Sequence, residues 1–234
     1  MRSSTRCIVL ATVTGALLVP LAACESTPPS SEAQPAAGVS PVSERDARRQ
    51  AEWARAVDGL DFDSGVVVVQ SPPGRSDVAS ARQLMQRGET ELQVNHKIPA
   101  VEAFADAVKA APDMIEPYMG LGRAMILKGK TDLAAVSYRT VIQLQPNHVE
   151  ARVELANCLA RELRHEEAIA EMQQVLVLDP THAQAHERLA IWHYYVGDYG
   201  AAWRHVHAAD DLGHVMPPQF INQLRGKMAD PGAG

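Results

Sequence analysis

Apolar residues recur at helical spacing in eight stretches between residues 77 and 212. They run over about 77–94, 98–111, 115–128, 131–144, 149–162, 165–178, 183–196 and 199–212, and each predicts an amphipathic helix. Gly129 and Gly197 fall between paired stretches and predict turns. Upstream the pattern changes. Residues 25–43 hold Pro28, Pro29, Pro35 and Pro41 among Ser, Ala, Thr and Gly, without apolar periodicity, and read as a flexible tether. Ser43 to Leu60 predicts a helix with Ser43 as its N-cap. Arg45, Asp46, Arg48, Arg49, Glu52 and Arg55 form its charged, solvated face. Gly65 to Gln70 contains four consecutive valines and is the only strand-like run, stopped by Ser71-Pro72-Pro73-Gly74. It is expected to lie extended against the first helices; the other reading is an edge that pairs with a partner strand.

The eight helices repeat as pairs. Pro112, Pro146 and Pro180 are 34 residues apart, which sets four windows: 81–114, 115–148, 149–182 and 183–216. Equivalent slots hold Gly88, Gly122, Ala156 and Ala190; Arg87, Leu121, Leu155 and Leu189; Ala100, Ala134, Ala168 and Ala202; Phe104, Tyr138, Met172 and Val206; and Ala107, Val141, Val175 and Ala209. Small residues let helix axes approach, and the bulky slot fills the space between them. Proline ends the second helix of a pair because it lacks an N–H and disfavours α conformation in the residue before it. One hairpin cannot bury its apolar face, so neighbours stack. Pro217-Pro218 opens a last helix, about 218–227, that caps the stack.

These slots resemble the tetratricopeptide repeat (TPR) family over residues 81–216. The match is fullest in 115–148 and 149–182. The first window departs from it at Arg87, and the last has His214 in the proline slot. The resemblance implies an all-α, right-handed solenoid of about four helix-turn-helix repeats with a C-terminal capping helix. It also implies that the first helix of each repeat lines a peptide-binding groove. Carrying the family's groove slots over, residue by residue, selects Met119, Arg123, Asn157, Arg161, Tyr194 and Tyr195 as the protein-binding set. The clamp for chaperone tails found in some members needs lysine where this chain has Val153 and Gln184. Trp192, Tyr194, Tyr195 and Tyr199 gather in the last repeat and are expected to close its core, with Tyr194 and Tyr195 the better exposed.

Residues 1–23 carry Arg2 and Arg6 before an apolar run from Cys7 to about Val19, too short for a membrane span. The run ends in Leu21-Ala22-Ala23-Cys24, which resembles a bacterial lipobox. That resemblance implies cleavage before Cys24 and lipidation of its thiol, and two or more acyl chains would anchor the chain stably. Glu25 resembles the outer-membrane sorting signal, so the expected place is the cell envelope, at the outer membrane facing the periplasm if the envelope is Gram-negative. Loss of the two arginines takes the formal net charge from −6 to −8.

Composition narrows the chemistry. Hydrophobic residues are 46% and charged residues 21%, so most of the chain is expected to fold; aromatics are only 5%. Negative net charge argues against nucleic acid. Of three cysteines, Cys7 is discarded, Cys24 is lipidated, and Cys158 reads as a small core residue. Among the nine histidines, His182 precedes its helix, His186 and His193 are seven apart, and His205 and His207 point to different faces, so no metal site is expected. No phosphate loop or nucleophile elbow is present. The expectation is therefore a non-enzymatic, membrane-anchored scaffold without cofactor or small-molecule substrate. It would bind a protein or peptide segment, in pilus, secretion or outer-membrane assembly. The alternatives are a self-associating structural solenoid and an accessory subunit of an envelope enzyme.

Overall fold

A computed structural model describes residues 41–232, and the signal segment, Cys24 and the tether up to residue 40 lie outside them. Among the described residues there are ten helices and one two-stranded ribbon. A first helix, α1 (Pro41–Ala56), is followed by β1 (Leu60–Asp61) and β2 (Val68–Val69). Four hairpins follow: α2 (Val78–Gln93) with α3 (Lys97–Ala110), α4 (Ile115–Lys128) with α5 (Thr131–Leu144), α6 (Val149–Arg161) with α7 (His165–Leu178), and α8 (Ala183–Tyr195) with α9 (Tyr199–Asp211). The last helix is α10 (Pro218–Arg225). From α2 onward each helix packs on the next, α1 packs on α3, and α2 also touches α4, as stacked hairpins require. The fold is an all-α solenoid, and the eight repeat helices fall within about two residues of the sequence expectation.

The stops follow from the sequence. Helices α3, α5 and α7 each end two residues before their proline, and the intervening caps Ala111, Gln145 and Asp179 have ψ of 77, 92 and 90°. That is the extended backbone a following proline position favours. The fourth repeat has His214 instead, and α9 ends through Gly213 at φ 76°, with the His214 N–H donating to the Ala209 carbonyl at 2.8 Å.

The small slots carry the packing. Every residue of the Gly88, Ala100 and Phe104 series is buried. A Cβ at Gly88 would stand 2.8 Å from the Phe104 ring, and one at Gly122 would stand 2.6 Å from Tyr138. A Cβ at Gly120 would overlap the other side of Phe104. The Phe104 ring therefore lies between a glycine of its own hairpin and a glycine of the next, and fully burying such a side chain contributes about 1.5–3 kcal/mol. Cys158 is fully buried and free; burial first, then Glu154, pushes its thiol up to about 12.

The N-terminal segment departs from expectation in three ways. Helix α1 begins at Pro41, so Ser43 lies inside it and is not its cap, and it ends at Ala56, four residues before Leu60. The valine run narrows to Val68–Val69, which pairs antiparallel with Asp61 and Leu60 of the same chain. The run is also fastened to α5: the buried Val67 N–H donates to Thr140 Oγ1 at 2.7 Å, and Thr140 in turn donates to the Val136 carbonyl at 3.0 Å. A buried backbone N–H needs a partner, and Thr140 supplies it. Lys109 donates to the Asp58 carbonyl, Lys130 sits 5.6 Å over the Trp53 ring, and Ala56, Leu60 and Val67 join the main core. At the other end α10 covers α9, burying Leu224 and Met216 with Trp203 and Val206, while Trp203 Nε1 donates to the Met228 carbonyl.

Candidate functional site

The first helices of the last three repeats, α4, α6 and α8, line a groove of about 650 Å³. Its walls come from Ile126 of α4, from Glu154, Asn157, Ala160 and Arg161 of α6, and from Arg188, Trp192 and Tyr195 of α8. Leu163 and His165 close it at the turn into α7. Helical spacing explains the set: Glu154, Asn157 and Arg161 step by three and four residues, as do Arg188, Trp192 and Tyr195, so each trio shares one face of its helix.

The electrostatics are uneven. Most arginines nearby are already engaged: Arg123 with Glu89, Arg152 with Glu171 at 2.8 Å, and Arg164 with Glu167 at 2.6 Å and Glu162 at 3.2 Å. Arg161 and Arg188 have no carboxylate partner among the described residues. Both are exposed on the groove wall, against one carboxylate, Glu154. Two guanidinium forks beside a carboxamide can hold a carboxylate through paired, charge-assisted hydrogen bonds. Apolar and aromatic surface adjoins them. Tyr195 is 65% exposed and its ring stacks on His165, with centroids 5.3 Å apart and planes 14° apart. His165 Nδ1 is buried without a hydrogen-bond partner among the described residues.

Of the six residues selected from the sequence, Asn157, Arg161 and Tyr195 line this groove. Met119 is half-buried against the core, and Arg123 is tied to Glu89. Tyr194, expected with Tyr195 to be the better exposed of the aromatics, is half-buried and packs against Tyr199 and Phe220, with centroids 5.7 Å from each. Trp192 is buried, as expected of a residue that closes the core, yet one side of it reaches the groove. Val153 and Gln184, where the chaperone-tail clamp needs lysine, line a smaller adjoining hollow of about 150 Å³ with Arg188. Arg188 was not selected from the sequence, although it stands 34 residues after Glu154 and thus occupies the same slot one repeat on. No group of three or more metal-ligating side chains is gathered among the described residues.

Leu163 is unusual. The equivalent turn slot holds Asn95, Gly129, Leu163 and Gly197, at φ 61, 81, 61 and 83°. Asparagine and glycine tolerate this left-handed conformation, whereas a leucine Cβ meets the following carbonyl, at a cost of roughly 1–2 kcal/mol. The side chain recovers little by burial, being 77% exposed at the mouth of the groove.

Residues 125–190 match the tetratricopeptide repeat family. No curated protein sequence matches the chain. Among solved structures, a crystal structure of MamA superimposes with a TM-score of 0.58 at 19% identity, covering 63% of this chain and 82% of that one. MamA from Desulfovibrio magneticus RS-1, residue 41 to its end, gives 0.57 at 18%, covering 63% and 83%. The first TPR of Spaghetti (RPAP3), bound to the HSP90 peptide SRMEEVD, gives 0.51 at 17%, covering 53% and 99%. The chain thus carries tetratricopeptide repeats in the TPR solenoid fold.

Relief of the Leu163 strain is measurable. Leu163→Gly is expected to raise unfolding stability by about 1 kcal/mol in urea denaturation, since the left-handed penalty disappears and little burial is lost. A loss of stability would show that Leu163 packs in a way its exposure does not convey.

Proposed function

We propose that this tetratricopeptide-repeat chain is a non-enzymatic scaffold of the bacterial cell envelope, held to the membrane by lipid on Cys24, which takes an extended acidic protein segment into the groove of its last three repeats. The observation that carries the binding role is the juxtaposition of Arg161 and Arg188, both without carboxylate partners, with the exposed Leu163 and Tyr195. Unpaired arginines stand on other exposed helix faces too, Arg82 and Arg87 among them, so what distinguishes Arg161 and Arg188 is that they line one groove beside exposed apolar side chains. The two free forks favour carboxylates, and the leucine and tyrosine favour apolar side chains next to them. The RPAP3 repeat domain, of like fold, was solved with an acidic peptide. Here Val153 and Gln184 stand at the lysine positions and the cations are Arg161 and Arg188, so a different acidic motif is expected.

The lipid anchor rests on Leu21-Ala22-Ala23-Cys24 and on Arg2 and Arg6 before the apolar run. The proposed role is in pilus, secretion or outer-membrane assembly, where a membrane-held groove would present itself to other chains. The valine run gives no support to the accessory-subunit reading, because its strand pairs with Leu60–Asp61 of the same chain.

Two experiments address the two halves. A library of random octapeptides with free C-terminal carboxylates should enrich Asp- or Glu-containing peptides with a neighbouring Leu, Met or aromatic residue. Reversing Arg161→Glu and Arg188→Glu should weaken the enriched peptide by about tenfold or more, as loss of charged hydrogen bonds requires. No enrichment, or affinity unchanged by the double reversal, would remove the groove model. For the anchor, cells grown with an alkyne palmitate analogue should label the wild-type chain and not Cys24→Ala; label on the variant would contradict it.

A further inference from the structure

The same cross-hairpin position can be followed through all four repeats. Nineteen residues separate its two members: Leu84 and Ala103, Tyr118 and Ser137, Arg152 and Glu171, His186 and His205. In the third repeat this position is a salt bridge that clasps α6 to α7, with Arg152 Nη1 2.8 Å from Glu171 Oε2. In the fourth it is a pair of imidazoles, with His186 Nδ1 3.0 Å from His205 Nδ1. Arginine and glutamate are complementary by charge. Two neutral imidazoles share one hydrogen bond, in which one Nδ1 carries the hydrogen and the other offers a lone pair. A third ring joins them: His193 stacks on His205, with centroids 5.5 Å apart and planes 15° apart. Its Nδ1 is buried without a hydrogen-bond partner among the described residues, and Asp198 Oδ2 is 3.8 Å away.

We propose that His186 and His205 form a two-nitrogen chelate for a divalent late first-row transition ion, Zn²⁺ or Cu²⁺, which clasps α8 to α9 where the preceding repeat uses an ion pair. The spacing suits it. Metal–nitrogen bonds of about 2.0–2.1 Å at ordinary coordination angles put two imidazole donors roughly 2.8–3.4 Å apart. Neutral rings are the ligating form. On binding, the Nδ1 hydrogen of the donor ring moves to Nε2 of the same ring, so both Nδ1 atoms face the ion. The chain supplies two donors from separate helices, and water completes the shell. Within-helix spacing hid the site from sequence reasoning, because the two donors meet only across the α8–α9 hairpin.

The test uses the untagged full chain, stripped with chelator and titrated with ZnCl₂ by calorimetry and with CuCl₂ by electron paramagnetic resonance. One saturable equivalent should bind, with a nitrogen-coupled copper signal and a raised melting temperature. His186→Asn and His205→Asn should each weaken binding by about tenfold or more, while His96→Asn, an exposed site on α2's flank, should not. The decisive variant is His186→Arg with His205→Glu, which installs the third repeat's ion pair. It should keep the fold and the melting temperature of the metal-free chain and lose the bound equivalent. No saturable binding, or an equivalent retained by the Arg/Glu variant, would overturn the proposal.

Discussion

The architecture depends on one contact, the aromatic ring of Phe104 held between glycines of successive hairpins. Gly88 lies on its own hairpin and Gly120 on the next, and neither has room for a methyl group against the ring. That contact sets how closely α2, α3 and α4 approach. Tyr138 against Gly122 repeats the arrangement one step along. In the later repeats the pair changes to Ala156 with Met172 and Ala190 with Val206, smaller knobs against larger floors. Volume is roughly conserved across the slot, as close-packed interiors require. The groove is a consequence: with axes spaced by these contacts, α4, α6 and α8 present their outward faces side by side, and Asn157, Arg161 and Arg188 line one groove.

The ends of a solenoid lack a neighbour and must be closed by other means. The N-terminal segment does so through particular bonds. Val67 reaches Thr140 on α5, Lys109 holds the Asp58 carbonyl, and Trp53 meets Lys130. These join residues far apart in sequence, which is why the segment is part of the main core and not an appendage. At the other end Trp203, Leu224 and Met216 make a separate small core under α10. His214 reaches Glu187 at 3.0 Å, and His207 reaches Asp230 at 3.0 Å, fastening the last turns.

The repeat helices were legible because 34-residue periodicity is carried by residues whose size alone explains it. Their boundaries emerged to within a residue or two, since proline and glycine punctuate them. The N-terminal segment was not legible in the same way. Four valines in a row fix neither face nor partner, and Thr140, which captures Val67, is 73 residues away. In the groove, slot arithmetic selected six residues, of which Asn157, Arg161 and Tyr195 line the hollow. It could not foresee the contact of Tyr194 with Phe220, because α10 belongs to no repeat. It passed over Arg188, whose slot holds Gln86, Gly120 and Glu154 elsewhere and so shows no common chemistry. The His186–His205 pair was likewise hidden, since its members are neighbours only once the hairpin closes.

The account's central claim is that glycine opposite an aromatic ring sets the spacing of the stack. A double-mutant cycle in urea, with Gly120→Ala, Phe104→Leu and both together, tests it most directly. Alanine in a helix gains roughly 1 kcal/mol over glycine by propensity, so a neutral site would be stabilised. Overpacking against Phe104 should instead destabilise Gly120→Ala by about 1–3 kcal/mol. The smaller leucine should relieve most of that loss, giving a coupling energy of about 1 kcal/mol or more. Additivity within about 0.5 kcal/mol, or a stabilising Gly120→Ala, would contradict it.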